Sequence, residues 1–307
     1  MSKTKDVPFT PHNILVTGGR GFIGSRVTER LRDQGHNVYT YDIVDGQDLL
    51  NLGQLEQAIA NVDMVFHIAA QADLTEMSIS VDNGRAGVLR NVEATHNVAY
   101  LCAKWNKWLL YASTLCVYGN QEKHPSTEDQ TLPNPSELYA CSKYAGEAIV
   151  RGYGYNYGMP WTIQRYATIY GPGMRPALGM HIFFRQAMAE QPITLHGDGK
   201  QVRTLTYIDD LVDGIVAPLS NPPAAQGQVF NITADQEISA LQMAKDIKKI
   251  TKSNSEIVNI EQRHNQTFKE SVSNQKIKKL LGWTPKTTWA DGVKKTHDWM
   301  KSLTTRA

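Results

Sequence analysis

The sequence predicts an α/β fold built on a doubly wound parallel sheet, followed by a smaller mixed α/β lobe. Apolar runs typical of buried strands alternate with stretches of helical periodicity over roughly the first 170 residues. A glycine-rich turn, TGGRGFIG, joins the first strand to the first helix. Alternation of this kind favours parallel strands connected by right-handed helical crossovers.

The predicted strands of the sheet are the apolar runs 12–18, 37–42, 62–70, 107–113 and 160–167. Their nearly continuous hydrophobicity is typical of parallel strands, which are buried on both faces. Helices are predicted between them, at GFIGSRVTERLRDQG, LGQLEQAIA, about 85–104 and LYACSKYAGE.

Beyond Tyr170 the predicted elements become shorter. ITLHG, VRTLTY, QVFNI and EIVNI are predicted strands, and helices are predicted near 208–219, 238–251, 272–281 and 288–302. We therefore expect a first domain over 1–170 and a second lobe that is mainly 171–307. A later strand and helix can return to the first domain.

The composition is that of an ordinary soluble globular protein, with 41% hydrophobic and 20% charged residues. A formal net charge of +2 gives no argument for nucleic acid or an anionic membrane as partner. The scattered cysteines Cys102, Cys116 and Cys141 indicate neither a disulfide framework nor a metal site. No apolar run approaches the roughly 20 residues of a membrane span, and the polar N-terminus is unlike a signal peptide. A cytosolic protein without a bound metal is expected.

The turn TGGRGFIG places Gly18, Gly21 and Gly24 three positions apart between a strand and a helix. Small residues let the loop turn tightly and let backbone N–H groups approach a pyrophosphate at the helix N-terminus. Asp42 ends the second strand, where a carboxylate can accept from both hydroxyls of an adenosine ribose. Because an acid there repels a 2′-phosphate, the sequence predicts NAD and not NADP as cofactor.

The stretch LYACSKYAGE puts Tyr139 and Lys143 four positions apart, so a helix stacks both side chains on one face. A phenol with a pKa near ~10 is a poor base at neutral pH. A neighbouring ammonium and an oxidised nicotinamide both favour its ionised form. The pair is a candidate proton-transfer device, although a surface Tyr and Lys at this spacing are also common.

Several further motifs follow in the order found in extended short-chain dehydrogenases/reductases. With TGGRGFIG they are HIAAQA (67–72), YASTLCVYG (111–119), YACSK (139–143), IQRYATIYGPG (163–173), GDGKQVRTLTYIDD (197–210) and LGWTP (281–285). The chain resembles the nucleotide-sugar epimerase/dehydratase branch over nearly its whole length, including UDP-glucose 4-epimerases. The resemblance implies a Rossmann-type NAD-binding domain over 1–170 and a nucleotide-sugar-binding lobe mainly over 171–307.

The resemblance also implies roles for single residues. Tyr139 takes and returns a sugar hydroxyl proton, Lys143 lowers its pKa, and Thr114 bridges the tyrosine and the substrate. Cofactor contacts are expected from Gly18, Gly21, Phe22, Ile23, Gly24, Asp42, Asp48, Leu49, Ala69, Ala70, Gln71, Asn91, Tyr139, Lys143 and Tyr166. Substrate contacts are expected from Thr114, Thr168, His181, Arg203, Arg263 and Glu270, with the two arginines on the diphosphate.

Some positions depart from the pattern of the branch. The connection after Asp42 is short, so the usual third strand is expected to be missing or reduced. Thr168 stands where many relatives have an asparagine, and Gln266 replaces a usual aspartate. These departures leave the sugar open, and the nucleotide also, although uridine or thymidine is commonest in the branch and a UDP-sugar is our first candidate.

Relatives begin by oxidising the sugar, usually at C4, and differ in the acid/base groups that act afterwards. The 4,6-dehydratases have Asp-Glu after the threonine, where this chain has Leu115 and Cys116, and decarboxylases usually keep the glutamate. A 4-epimerase needs no further group. Four-epimerisation of an NDP-hexose, with NAD recycled in place, is therefore the leading interpretation.

Cys116 carries the main alternative. GDP-mannose 3,5-epimerases place a cysteine at the matching position, where it exchanges protons beside the ketone, so a 3,5-epimerase or dehydratase-type enzyme stays open. Those enzymes pair the cysteine with a lysine, where this chain has Leu178, with His181 nearby. A small buried residue at a strand end is the other interpretation of Cys116.

Two further expectations concern partners and activity. Relatives dimerise through a four-helix bundle, here about 91–104 and 139–157, so the resemblance implies a homodimer. A non-catalytic NAD-binding sensor is a third hypothesis, because a fold alone does not prove activity. The intact Thr114, Tyr139 and Lys143 disfavour it.

Overall fold

The structure of the chain, a computed structural model, describes residues 11–72, 74–121, 124–130, 135–262 and 269–304. The strands are β1 (Asn13–Thr17), β2 (Asn37–Tyr41), β3 (Met64–His67), β4 (Trp108–Thr114), β5 (Trp161–Tyr166), β6 (Thr168–Tyr170), β7 (Ile193–His196), β8 (Val202–Tyr207), β9 (Gln228–Ile232), β10 (Glu237–Ser239) and β11 (Ile257–Ile260).

The helices are α1 (Phe22–Asp33), α2 (Leu52–Ala60), α3 (Leu74–Ile79), α4 (Val81–Lys104), α5 (Leu138–Tyr157), α6 (Gly179–Met188), α7 (Ile208–Val216), α8 (Pro222–Ala225), α9 (Ala240–Thr251), α10 (Gln275–Leu281) and α11 (Trp289–Thr304). Single 3-10 turns lie at Ile43–Asp45, Leu115–Tyr118 and Ala217–Ser220. Within the described ranges, no helix is both long and apolar enough to cross a membrane.

The largest sheet has the strand order β2-β1-β3-β4-β5-β9, and all of its neighbouring strands pair in parallel. The predicted doubly wound parallel sheet is thereby confirmed. Residues 42–51 between β2 and α2 hold a 3-10 turn and no strand, so the expected loss of a strand there agrees with the structure.

Alternate residues of the strands supply two separate hydrophobic cores, one on each face of the sheet. On one face, Leu15 and Leu109 pack with residues of α2, α4 and α5, including Leu55 and Val98. On the other face the strands pack with α1 and α7. Burial on both faces explains why the strands are apolar throughout.

The second half of the chain forms two smaller sheets, of orders β10-β8-β6 and β11-β7. It also returns β9 to the edge of the main sheet, where this strand pairs with β5. The carboxyl ends of β1 to β5 therefore face a crevice between the main sheet and the smaller elements. Crevices at this position are where open α/β sheets bind ligands.

Candidate active site

A cleft of about 940 Å³ lies at the carboxyl ends of the main strands. One half, which we name the glycine-loop half, is lined by the loop between β1 and α1 and by the ends of β2 and β3. The other half, named the Cys116 half, is lined by Cys116, Thr168, Arg175, Leu178 and Glu270. Tyr139 and Tyr166 also line the cleft.

The glycine loop is shaped for close approach of its backbone to a ligand. Gly18 has a φ of +71°, and a Cβ there would lie 2.8 Å from the backbone of Ala69. A Cβ on Gly24 would collide with the carbonyl oxygen of Gly18. Gly21 caps α1 without a side chain, so the first N–H groups of the helix are left for an anion.

Asp42 lies against this loop at the end of β2. Its carboxylate accepts hydrogen bonds from the backbone N–H of Arg20 at 2.9 Å and from that of Val44 at 3.1 Å. The guanidinium of Arg20 is bound by both carboxylate oxygens of Asp45, at 2.8 and 2.9 Å. An acid with a neutralised neighbouring cation suits the two hydroxyls of an adenosine ribose and not a 2′-phosphate.

The wall beyond Asp42 is held by hydrogen bonds to predicted residues. Asn91 accepts from the N–H of Gln71 at 2.8 Å, and its amide donates to the Gln71 carbonyl and to Ser142 Oγ, both at 3.0 Å. Asp48 accepts from Arg90 at 3.0 Å. The remaining predicted cofactor residues that line the cleft are Phe22, Ile23, Leu49, Ala69 and Ala70. These features fit NAD.

Helix α5 brings Tyr139 to the cleft and places Lys143 one turn behind it. The Lys143 side chain is buried at 2% exposure, with its Nζ 4.4 Å from the centre of the Tyr111 ring. Thr114 ends β4, and its hydroxyl accepts from the N–H of Cys116 at 3.2 Å. Thr114 and Tyr139 thus both line the cleft, whereas Lys143 lies behind Tyr139 on α5 and is not among the lining residues.

Burial shifts the pKa values of these groups in opposite directions. It lowers the pKa of Lys143 to about 7, against the negative charge of Glu147, which raises it. It raises the pKa of Tyr139, and so does the negative charge of a Cys116 thiolate or Glu137, whereas Arg175 lowers it. The phenol is therefore neutral at pH 7, and a positive charge in the cleft is needed to make it a base.

The Cys116 thiol lies in the cleft but is poorly suited to proton exchange. Burial and, to a smaller extent, the nearby carboxylates of Glu270 and Glu137 raise its pKa to about 12, while Thr114 and Arg203 act in the opposite direction. Since the thiolate is the reactive form of cysteine, this group is unreactive at neutral pH.

The structure places the predicted substrate residues differently. Thr168 and Glu270 line the cleft, and Glu270 accepts from Thr204 Oγ1 at 3.3 Å. Arg203, on β8, lowers the pKa of Glu270, whose burial raises it, and donates to the carbonyl of Val202 at 2.8 Å. Arg263, together with Gln266, lies outside the described residues.

His181 stands apart from the cleft. It is buried on α6, and its ring packs edge-on against Trp299 with 6.1 Å between the ring centres. Leu178, and not His181, lines the cleft at the start of that helix. The structure therefore does not bring His181 to Cys116 as a partner.

The sequence reasoning missed Arg175, which lines the cleft, and Glu137, whose charge raises the pKa values of Cys116 and Tyr139. Arg175 lines the cleft and donates to the carbonyl of Ala72 at 2.7 Å. Glu137 precedes α5, and its Oε2 is buried without a hydrogen-bond partner in the described part of the chain. The signal for Arg175 was its place two residues after the GPG turn, and that for Glu137 its place two residues before Tyr139. Among the described residues, no group of His, Cys, Asp or Glu is arranged to hold a metal ion.

Comparison with known proteins decides the family. Residues 14–233 match the model of the NAD dependent epimerase/dehydratase family. The chain belongs to this epimerase/dehydratase family. Its fold is the one that the family shares, and its cofactor is NAD.

Individual members of the epimerase/dehydratase family are similar over almost their whole lengths. A UDP-N-acetyl-α-D-glucosaminuronate decarboxylase from Bacillus cytotoxicus is 30% identical, over 94% of this chain and 98% of that protein. The structure of a UDP-glucose 4-epimerase from Thermotoga maritima, with UDP-glucose, has a TM-score of 0.88 at 28% identity, covering 95% and 99% of the two chains. That of a UDP-glucuronic acid 4-epimerase from Bacillus cereus, with UDP-glucuronic acid and NAD, has a TM-score of 0.86 at 28% identity and the same coverage.

Proposed function

We propose that the protein is an NAD-dependent nucleotide-sugar 4-epimerase. The observation that carries this proposal is the chemistry next to Thr114. Leu115 is apolar and buried, and burial raises the pKa of the Cys116 thiol to about 12. The two positions therefore lack the carboxyl pair that dehydratases use as acid and base. Thr114, Tyr139 and Lys143 remain, and 4-epimerisation needs no others.

The chain's own residues bind and orient the sugar, and they move one proton. NAD supplies the acceptor, and then the donor, of the sugar's hydride. Tyr139 takes the proton of the C4 hydroxyl during oxidation and returns it to the same oxygen after the ketone has turned over in the cleft. Lys143 as an ammonium stabilises the phenolate that takes the proton and that forms again when the proton is returned, and Thr114 orients the hydroxyl. The sugar is isomerised with no net change in protons or electrons.

A UDP-sugar is the first substrate to test, because the solved structures of two similar proteins contain UDP-glucose and UDP-glucuronic acid. The purified chain is incubated with UDP-, dTDP- and GDP-sugars in deuterated water, and products are followed by NMR and mass. A 4-epimer without carbon-bound deuterium supports the proposal, because the hydride then leaves and returns internally. Conversion with deuterium at C3 or C5 contradicts it.

The second candidate function is 3,5-epimerisation or dehydration with Cys116 as acid/base. It is favoured by the position of this thiol in the cleft beside Tyr139, near the carboxyls of Glu137 and Glu270. Deuterium at C3 or C5, lost on substitution of Cys116, would support it. Tightly held NAD without turnover of any sugar would favour a sensor.

We propose that the enzyme is a homodimer and that it is located in the cytosol. Long apolar and aromatic side chains are exposed along the outer faces of α4 and α5: Leu89, Tyr100, Tyr144, Tyr155 and Tyr157. Packing these two helices against the same pair in a second copy would cover them. Sedimentation analysis of the wild type and of a Tyr155→Lys/Tyr157→Lys variant tests it, since the variant should sediment as a monomer.

A further inference from the structure

Helix α5 carries a second buried charged residue, Glu147, on the face of the Tyr139–Lys143 pair. Tyr139, Lys143 and Glu147 follow one another at intervals of four, which stacks them along one side of the helix. The carboxylate of Glu147 is 0% exposed. A buried carboxylate must be paired and hydrogen-bonded to remain ionised, so its partners indicate what it does.

The partners of Glu147 saturate both of its oxygens. Oε1 accepts from Arg165 Nε at 2.8 Å and from Ser113 Oγ at 2.6 Å. Oε2 accepts from Arg165 Nη2 at 2.7 Å and from Arg151 Nη2 at 3.1 Å. The two parallel bonds from Arg165 form a bidentate pair, which fixes direction as well as distance.

The sheet register makes this carboxylate a link between the helix and two strand ends. Ser113 on β4 and Arg165 on β5 are direct neighbours across the sheet. The next neighbours are Thr114 and Tyr166, and both line the cleft. One carboxylate therefore holds α5 against the two residues that immediately precede these cleft-lining residues.

Arg165 extends the same connection to the far edge of the sheet. Its Nη1 donates to the Tyr118 hydroxyl at 2.8 Å, which in turn donates to Asn231 at 2.9 Å. Tyr118 ends the turn that contains Cys116, and Asn231 belongs to β9. Arg165 itself is 1% exposed, so its charge is balanced by Glu147 and not by water.

Glu147 is also the compensating charge for the buried lysine. The titratable groups that the structure places beside Lys143 are His67 on β3, Tyr111 on β4 and Glu147 on α5, and Tyr139 precedes it by one turn of α5. Burial and the charge of Lys143 lower the pKa of His67 to about 3, so that ring is neutral. The two tyrosines are neutral as well, because burial raises their pKa values. A single negative charge in this group therefore supports the ammonium form of Lys143.

We propose that Glu147 is a positioning residue for proton transfer at this site: it favours the ammonium form of Lys143 and aligns α5 with the ends of β4 and β5. The inference deepens the proposed 4-epimerase function and rests on it for the identity of the reaction. Its effect on Lys143, however, is a property of the protein and does not depend on which sugar is turned over.

The test compares how Lys143 titrates in Glu147→Gln and in the wild type. The full chain is labelled with [¹³C]lysine, saturated with NAD, and followed by NMR, with Lys143→Arg used to assign the resonance. Without the carboxylate, and with Arg165 left as an unpaired cation, we expect the Lys143 midpoint to fall by roughly one pH unit or more, the effect of one nearby opposite charge. The decline of kcat at high pH, where Lys143 loses its proton, should move down equally.

Three further variants separate charge from packing. Glu147→Asp keeps the charge and shortens the side chain, so kcat should fall while the midpoint stays near the wild-type value. Glu147→Gln/Arg165→Met leaves no unpaired buried ion and should still lower the midpoint. Asp210→Asn is the matched control, because this buried carboxylate binds the N–H groups of Lys286 and Thr287 in the second lobe.

An unchanged midpoint in both variants that lack the Glu147 carboxylate, with a loss of stability like that of Asp210→Asn, would overturn the inference and leave Glu147 a structural residue. A midpoint that falls in Asp210→Asn as well would also overturn it. If no nucleotide sugar is turned over, the proposed function fails, but the NMR titration still decides the role of Glu147.

Discussion

The glycine-loop half and the Cys116 half of the cleft differ in how the chain builds them. The first half comes from strand ends and the turns directly after them, as at Gly18, Asp42 and Ala69. The second half gathers Cys116, Thr168 and Glu270, which lie far apart in sequence. A site made of local motifs is specified by short patterns, whereas a site made of distant residues is specified by the packing of whole elements.

The largest effect is expected where the halves meet, at Tyr139→Phe. Removal of the phenolic oxygen abolishes proton transfer, so kcat should fall roughly 10²–10⁴-fold, while bound NAD stays, because the ring that lines the cleft is kept. The measurements are turnover and the NAD content of the purified protein. Tyr144→Phe, half-exposed on the same helix, is the control and should leave both unchanged. Full turnover by Tyr139→Phe would remove this residue from the mechanism.

In the glycine-loop half, Gly24→Ala should weaken the binding of NAD. The added methyl collides with the carbonyl oxygen of Gly18, so the loop must shift away from the pyrophosphate position. We expect NAD affinity, measured by calorimetry, to fall at least roughly tenfold, about 1.4 kcal/mol.

Gly53→Ala is the matched control for that change. A Cβ at Gly53 of α2 meets its first atom only at 3.9 Å, and alanine favours a helix over glycine by up to about 1 kcal/mol. NAD affinity should stay constant and stability should rise slightly. Equal NAD affinity of Gly24→Ala and the wild type would mean that the loop does not carry the pyrophosphate.

The buried lysine predicts a pH dependence of stability. Burial lowers the pKa of Lys143 to about 7 from the ordinary lysine value of 10.5. Between these values the unfolded chain binds a proton that the folded chain has released, so the free energy of unfolding rises with pH. Denaturant unfolding of the NAD-free protein should show this rise relative to Lys143→Met, at up to about 1.4 kcal/mol per pH unit. Parallel curves for the two proteins from pH 7 to 10 would show that Lys143 titrates normally.

The smallest effect is expected in the Cys116 half, at Cys116→Ala. A thiol that stays protonated at neutral pH contributes packing and no proton transfer, so kcat should change by less than about threefold, under 1 kcal/mol. Cys141→Ala, half-buried on α5, is the control. A loss of activity by orders of magnitude in Cys116→Ala, but not in Cys141→Ala, would show that the thiol is an acid/base group and would favour the 3,5-epimerase hypothesis.

The sequence predicts the residues of the cleft more completely than it predicts the short helices and strands, and the reason is physical. The glycine loop, Asp42 and the Tyr139–Lys143 pair are each set by spacing within one element. Helix α3 and the short strands β6 and β10 have no strong periodicity, because they are only six and three residues long.

Other site residues depend on geometry that no local pattern contains. The pairing of Glu147 with Arg165 depends on the register of β4 and β5 and on the rotation of α5 over them. The placement of His181 also depends on geometry. It is close in sequence to the GPG turn, but the direction of α6 turns its ring toward Trp299. Sequence spacing limits how far a side chain can be from a motif, whereas the helix axis decides whether the two meet.

The return of β9 to the main sheet has a consequence for synthesis. Strand β5 has its outer partner at residues 228–232, which leave the ribosome more than sixty residues after β5 itself. Until then the growing chain presents an open apolar strand edge, of the kind that chaperones protect and that aggregates otherwise. A nascent chain stalled near residue 200 should therefore be sensitive to protease, and one stalled well past residue 232 should resist it.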